Sequence, residues 1–154
     1  MPKIDRSTIP WTNFASYPKE FAPVIAGREK QKVGDAAGLT QFGVNIARIK
    51  AHSKSALRHW HENEDEFIFM LEGELVLHEN DGETVLRPGD AAGWKANGGV
   101  GHCLINRTGR DALYLEVGTR LPADRVHYLD VDFRIERDPS GRRWMRKDGT
   151  PIKE

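Results

Sequence analysis

Apolar and polar residues alternate along most of this chain in short runs, the period of a half-buried strand. Residues 44–50 (Val-Asn-Ile-Ala-Arg-Ile-Lys) read as one strand. Residues 66–71 and 74–78 read as two more, joined by a tight turn at Glu72-Gly73. Asn80-Asp81-Gly82 is a hairpin signal, because these residue types tolerate positive φ, and 83–87 follows as the partner strand. Pro88-Gly89-Asp90 marks another turn. Residues 101–106 and 112–118 are expected to form a hairpin around 107–111, and 131–136 and 142–147 flank a turn at Asp138-Pro139-Ser140-Gly141. Helical signals are scarce, and 15 glycines and 8 prolines cut the chain into brief pieces. Many short strands at this rhythm predict an all-β sandwich or barrel.

The first 25 residues differ in character. Trp11, Phe14, Tyr17 and Phe21 are spread among Pro10, Pro18 and Pro23, which reads as an extended N-terminal arm over 1–25. Such an arm lies on its own barrel or crosses to a second subunit. The remainder, 26–154, reads as one barrel domain, since 154 residues suit a single core. Lys plus Arg equals Asp plus Glu at 23 each, so no excess charge calls for nucleic acid or a membrane surface. One cysteine, Cys103, cannot make an internal disulfide. The polar N-terminus lacks the apolar run of a signal peptide, and no stretch reaches the roughly 20 apolar residues of a membrane span. A cytoplasmic location is expected.

The chemistry concentrates in Arg58-His59-Trp60-His61-Glu62-Asn63-Glu64-Asp65-Glu66-Phe67. Strand residues two apart share a face, so His59 and His61 can aim both imidazoles at one point while Trp60 faces away. If the strand opened by Glu66 pairs back on the first, Glu66 returns to that point. Two imidazoles and a carboxylate are a usual partial shell for a divalent transition metal. Glu66 shares parity with Ile68 and Met70, which would line the interior. Glu62 and Glu64 are expected to be solvated in the turn. Asp65 is the rival, one residue off in register and so on the other face. His102 is the candidate fourth ligand, after a glycine-rich approach suited to close backbone passage. Cys103 alternates away and reads as a small buried apolar residue. His52, His78 and His127 lack a partner pattern and read as surface residues.

These residues resemble the two sequence motifs of the cupin superfamily. His59-x-His61, four residues, Glu66, six residues and Gly73 resemble the first motif, with Ser53 in place of its opening glycine. Gly89, five residues, Lys95-Ala96-Asn97, then His102, three residues and Asn106 resemble the second. There Lys95 and Asn97 replace a proline and a glycine, and two extra residues precede His102, so the turn before it is remodelled. The similarity continues through 114–120 and 146–150 and is to a bacterial group of stand-alone cupins. It implies a double-stranded β-helix, or small jelly-roll barrel, a 3-His/1-Glu metal site and frequent homodimers.

Four protein ligands leave about two of six octahedral positions open, the design of a catalytic rather than a structural site. The expected cofactor is one divalent transition metal, Zn, Fe, Mn or Ni. The expected function is a metalloenzyme of isomerase, dioxygenase or lyase type acting on a small polar molecule. The alternative is a non-catalytic module that binds or senses a small ligand. A regulator with its own DNA-binding helices does not fit residues 1–40. Arg48, Ile68, Met70, Trp94 and Leu104 are the candidate pocket residues, Arg48 as an anion partner if it faces inward.

Overall fold

The alternation becomes two facing layers of antiparallel strands. The structure is a computed structural model and describes residues 3–14 and 16–153. One layer orders β1 (Arg28–Gln31), β2 (Phe42–Ile49), β9 (Ala112–Thr119), β4 (Glu66–Glu72) and β7 (Ala91–Trp94). The other runs β12 (Gly141–Met145), β11 (Arg134–Asp138), β10 (Asp124–Tyr128) and β3 (His59–His61), then continues as β8 (Cys103–Ile105), β5 (Leu75–Glu79) and β6 (Gly82–Leu86). A single bridge joins its two parts: His59 and His102 exchange backbone hydrogen bonds of 3.1 and 2.9 Å. The result is a jelly-roll barrel. One short helix, α1 (Val33–Ala36), interrupts the strands.

Two pairings differ from the sequence reading. Residues 103–105 and 112–119 are not a hairpin; β8 pairs with β5, and β9 lies between β2 and β4 in the opposite layer. Likewise β4 does not pair back on β3. The chain crosses between layers at 62–65, so Glu66 meets His59 and His61 across the barrel rather than along one sheet. Turn chemistry is local and was readable, whereas the choice of sheet depends on distant strands. The hairpins at 79–82 and 138–141 form as the turn residues require.

Ala47, Ile49, Met70, Leu75, Leu77, Leu104 and Tyr114 fill one end of the barrel interior. A second cluster sits under the N-terminal residues, where Tyr17 and Ile25 pack with Val126, Tyr128, Phe133 and Ile135. The Tyr17 hydroxyl accepts from the Leu57 amide at 3.0 Å, and the Trp144 indole donates to the Ser16 carbonyl at 2.9 Å. These residues therefore lie on their own barrel. Gly73 turns the chain from β4 to β5 at φ +75, where an added Cβ would lie 2.9 Å from the Asp111 carbonyl. No helix among the described residues is long and apolar enough to cross a membrane.

Candidate metal centre

Strand parity brings the imidazoles together. His59 and His61 sit on the inward side of β3, and His102 is the bridge partner of His59. Glu66 opens β4 on the facing layer. His59, His61 and Glu66 each offer a donor atom within 4.8 Å of the others. Glu66 Oε1 lies 3.4 Å from His61 Nε2 and 3.8 Å from His59 Nε2, and Oε2 lies 2.7 Å from His102 Nε2. Two donors on one ion at about 2.1 Å lie roughly 3–4 Å apart, a spread that His59, His61 and Glu66 match, whereas His102 sits closer to the other carboxylate oxygen than two ligands of one ion would.

The outward nitrogens say the same. His59 Nδ1 lies 2.8 Å from the Leu57 carbonyl, His61 Nδ1 2.6 Å from Asp124 Oδ2, and His102 Nδ1 3.2 Å from the Val100 carbonyl. Each of those partners only accepts, so each Nδ1 carries the hydrogen. In the neutral rings the Nε2 lone pairs then face the centre together with the carboxylate. Glu66 Oε2 is buried and receives no aligned hydrogen bond despite the nearness of His102. A pocket of converging acceptors is stable only around positive charge.

Burial opposes charge on His61, but the Asp124 and Glu66 carboxylates overcome it and push its pKa up to about 10. Burial wins at His59 and pulls its pKa down. Burial would raise the Glu66 pKa, yet the three histidines hold its carboxyl well below the usual carboxylate range.

Asp124 and Glu64 were missed by sequence reasoning. Asp124 is buried at the start of β10, and its other oxygen accepts from the Asn63 amide at 3.0 Å. No local signal marks it, because its partner lies 63 residues away. Glu64 is not solvated: its side chain is 11% exposed, pairs with Arg137, accepts from the Leu121 amide at 3.1 Å and sits 3.7 Å from His61 Nδ1. Glu62 is also partnered, with His127 at 2.7 Å and Arg125 at 3.2 Å, and His127 stacks on Trp60. His127 is therefore no free surface histidine. Asp65 is exposed and accepts from the Ala96 amide at 2.7 Å, away from the centre. Asp124→Asn is expected to weaken metal affinity about 10–100-fold while the fold persists. A metal titration checks this; equal affinity removes Asp124 from the centre.

The centre opens into a cavity of about 410 Å³ lined by Ile68, Trp94 and Leu104 among others. Trp94 stacks on His102, with centroids 3.7 Å apart and planes 6° apart, and its indole donates to Glu79 at 2.7 Å. Met70 and Arg48 do not line this cavity. Met70 is wholly buried in the packed end. Arg48 projects from the outer face of β2, where it pairs with Glu29 at 2.5 Å and lies 4.1 Å over the Trp11 ring. Its strand neighbours Ala47 and Ile49 are the ones fully buried, so its parity is outward. Gly101, just before His102, serves packing instead of the centre: a Cβ there would lie 2.2 Å from the Leu129 side chain.

The cupin domain family matches residues 45–118, a span that holds His59, His61, Glu66 and His102. A crystal structure of a sugar phosphate isomerase from a cupin superfamily of Silicibacter pomeroyi superposes with a TM-score of 0.95 at 41% identity, covering 99% of this chain and 97% of that one. The chain belongs to the cupin superfamily. Two more distant solved structures share the cupin fold. A candidate sugar phosphate isomerase from Acidithiobacillus ferrooxidans aligns at 24% identity and TM-score 0.75, over 82% of this chain and 81% of its own. A polyketide cyclase from Streptomyces resistomycificus aligns at 20% identity and TM-score 0.67, over 86% and 89%. No curated protein matches the sequence.

Proposed function

We propose that this cupin is a divalent-metal-dependent isomerase of a small phosphorylated sugar, with the ion held by His59, His61, Glu66 and His102. The observation that carries the metal is the set of three imidazoles with outward-tethered Nδ1 atoms around a half-buried carboxylate. The substrate class rests on the similarity to the Silicibacter pomeroyi protein. Zn, Fe, Mn and Ni all suit this donor set. A bound ion supplies Lewis acidity toward a substrate carbonyl or hydroxyl oxygen.

The chain's own residues supply the rest. Aldose–ketose isomerisation needs a group that moves a proton between neighbouring carbons. Glu116 faces inward on β9, opposite Ile68 and one pleat from the Glu66–Gly118 pair. It is paired with Lys30 and accepts from Asn45 Nδ2 at 2.8 Å. Burial would raise the Glu116 pKa, but Lys30 beside it holds the carboxyl low and ionised, so a proton would be taken up only as Lys30 is drawn away or shared with substrate. Burial lowers the pKa of Lys30 in turn, against the pull of Glu116. Asn45 Oδ1 is buried without a donor, and a sugar hydroxyl would supply one. Metal-loaded protein is expected to interconvert aldose and ketose phosphates, followed by NMR. Saturable binding without turnover across a panel of such sugars sinks the isomerase reading and favours a metal-organised binding module.

A second copy of the chain is the proposed partner. Phe67, Phe69 and Leu71 stand on the outer face of β4 at 43%, 38% and 37% exposure. Val117 and Leu115 of β9 lie opposite the first two and extend the apolar stripe. Such a face is costly to leave in water, and a two-fold axis covers it with itself. Phe69→Glu is expected to give a monomer in light scattering where the parent is a dimer. A parent that is already monomeric overturns the pairing.

A further inference from the structure

The mouth of the cavity carries cations that the metal centre does not use. Arg28, Lys30 and Lys32 alternate along and just past β1, so all three face the cavity, while Glu29 and Gln31 face away. Arg120, Arg137 and Arg142 reach the same cavity. Three of the six are neutralised: Lys30 by Glu116, Arg120 by Asp35 and Arg137 by Glu64. The other three have no carboxylate partner among the described residues.

Those three converge on Phe14. Arg28 donates to the Phe14 carbonyl at 3.2 Å and to the Ser55 carbonyl at 2.9 Å. Lys32 Nζ and the Arg142 guanidinium each lie 5.9 Å from the centroid of the Phe14 ring. They come from two separate parts of the chain: β1 with the residue after it, and β12. Like charges repel, and three unpaired ones drawn to one rim raise the free energy unless an anion joins them. Phe14 itself is 63% exposed, an apolar ring held over the opening.

We propose that Arg28, Lys32 and Arg142, with Phe14 beside them, form the subsite for the phosphate of a phosphorylated substrate whose other end faces the histidines. This rests on the isomerase reading for the identity of the substrate, but the subsite is testable apart from turnover. A phosphate monoester carries a charge of about −1.5 to −2 at pH 7, which three cations match better than a carboxylate would. The guanidiniums give paired donors to its oxygens, and Lys32 gives a point charge. Phe14 shields the contact from water on the solvent side.

The test is calorimetric titration of the metal-loaded full chain with ribose 5-phosphate and with ribose. The phosphorylated sugar is expected to bind tenfold or more tightly, on the order of one charge-assisted contact's worth of affinity. Lys32→Gln and Arg142→Gln should each erode that preference and the double variant abolish it. Both side chains are exposed, so the circular dichroism spectrum should not change. Equal binding of the two sugars by the parent, or a preference that survives in the double variant, overturns the subsite. In His61→Ala the ratio of the two affinities should persist; its loss there means the metal holds the phosphate, and the proposal falls. Preference without isomerisation sinks the isomerase reading and leaves the subsite standing.

Discussion

Glu66→Gln should empty the metal centre and leave the barrel folded. Glutamine keeps the volume, and the side chain stands at the start of β4, outside the packed end of the core. What it loses is the negative charge on which three imidazoles converge. The carboxylate lies beside His102 on one oxygen and His61 and His59 on the other, and it is the one carboxylate among the described residues that is paired with all three rings. Removing an outer partner of a metal ligand costs about 10–100-fold in affinity, and removing a charged ligand costs more than that. The amide also brings two hydrogens into a space built for lone pairs. Elemental analysis of the purified variant should find less than a stoichiometric ion, and turnover should fall about hundredfold or more with it. His61→Ala should lose the ion in the same way. A Glu66→Gln protein that keeps one equivalent of metal, with the parent's affinity, would falsify the assignment of Glu66 as a ligand.

The reason Glu66 was readable, while Asp124 was not, is the range over which each is determined. Parity along a strand is local, so the sequence separates Glu66 from Asp65 without knowing the partner strand. The same rule places Cys103 away from the centre, where it is buried. Pairing is not local. The expected hairpin around 107–111 failed because β8 and β9 join different layers, a choice made by β5, β2 and β4. Asp124, Arg137 and Arg142 enter the site through that long-range topology. Arg28, Lys30 and Lys32 are a different case. Their alternation is plain in Arg-Glu-Lys-Gln-Lys, but β1 has no apolar residue, and a search for strands by hydrophobic period passes over it.

Phe133→Ala should be the most destabilising single change in the second cluster. Phe133 is wholly buried. Its ring stacks on Tyr128 at 4.4 Å and on Phe21 at 5.3 Å, and meets Tyr17 edge-on at 5.7 Å. Two of those partners belong to the N-terminal residues and one to β10, so the ring is where the arm is fastened to the barrel. Deleting a buried phenylalanine side chain costs about 3–5 kcal/mol through lost transfer energy and the cavity left behind. For a chain of this size each kcal/mol lowers Tm by about 2–4 °C, so a drop of roughly 6–20 °C is expected. Phe133→Leu refills most of the volume and should lose much less. The effect should also reach the cavity mouth. The arm carries Phe14 and Thr12, and Thr12 is held to Lys30 by hydrogen bonds of 2.9 and 3.0 Å. Loosening Tyr17 and Phe21 frees the segment that presents Phe14, so the amides of Thr12, Phe21 and Ala22 should exchange faster with solvent. A Tm equal to the parent's, with exchange unchanged at those amides, would mean the arm is fastened elsewhere. Tyr128 also packs against His59, ring centroids 5.6 Å apart. The same aromatic stack therefore supports the arm that carries Phe14 on one side and His59 on the other, which is why a change far from both is expected to reach both.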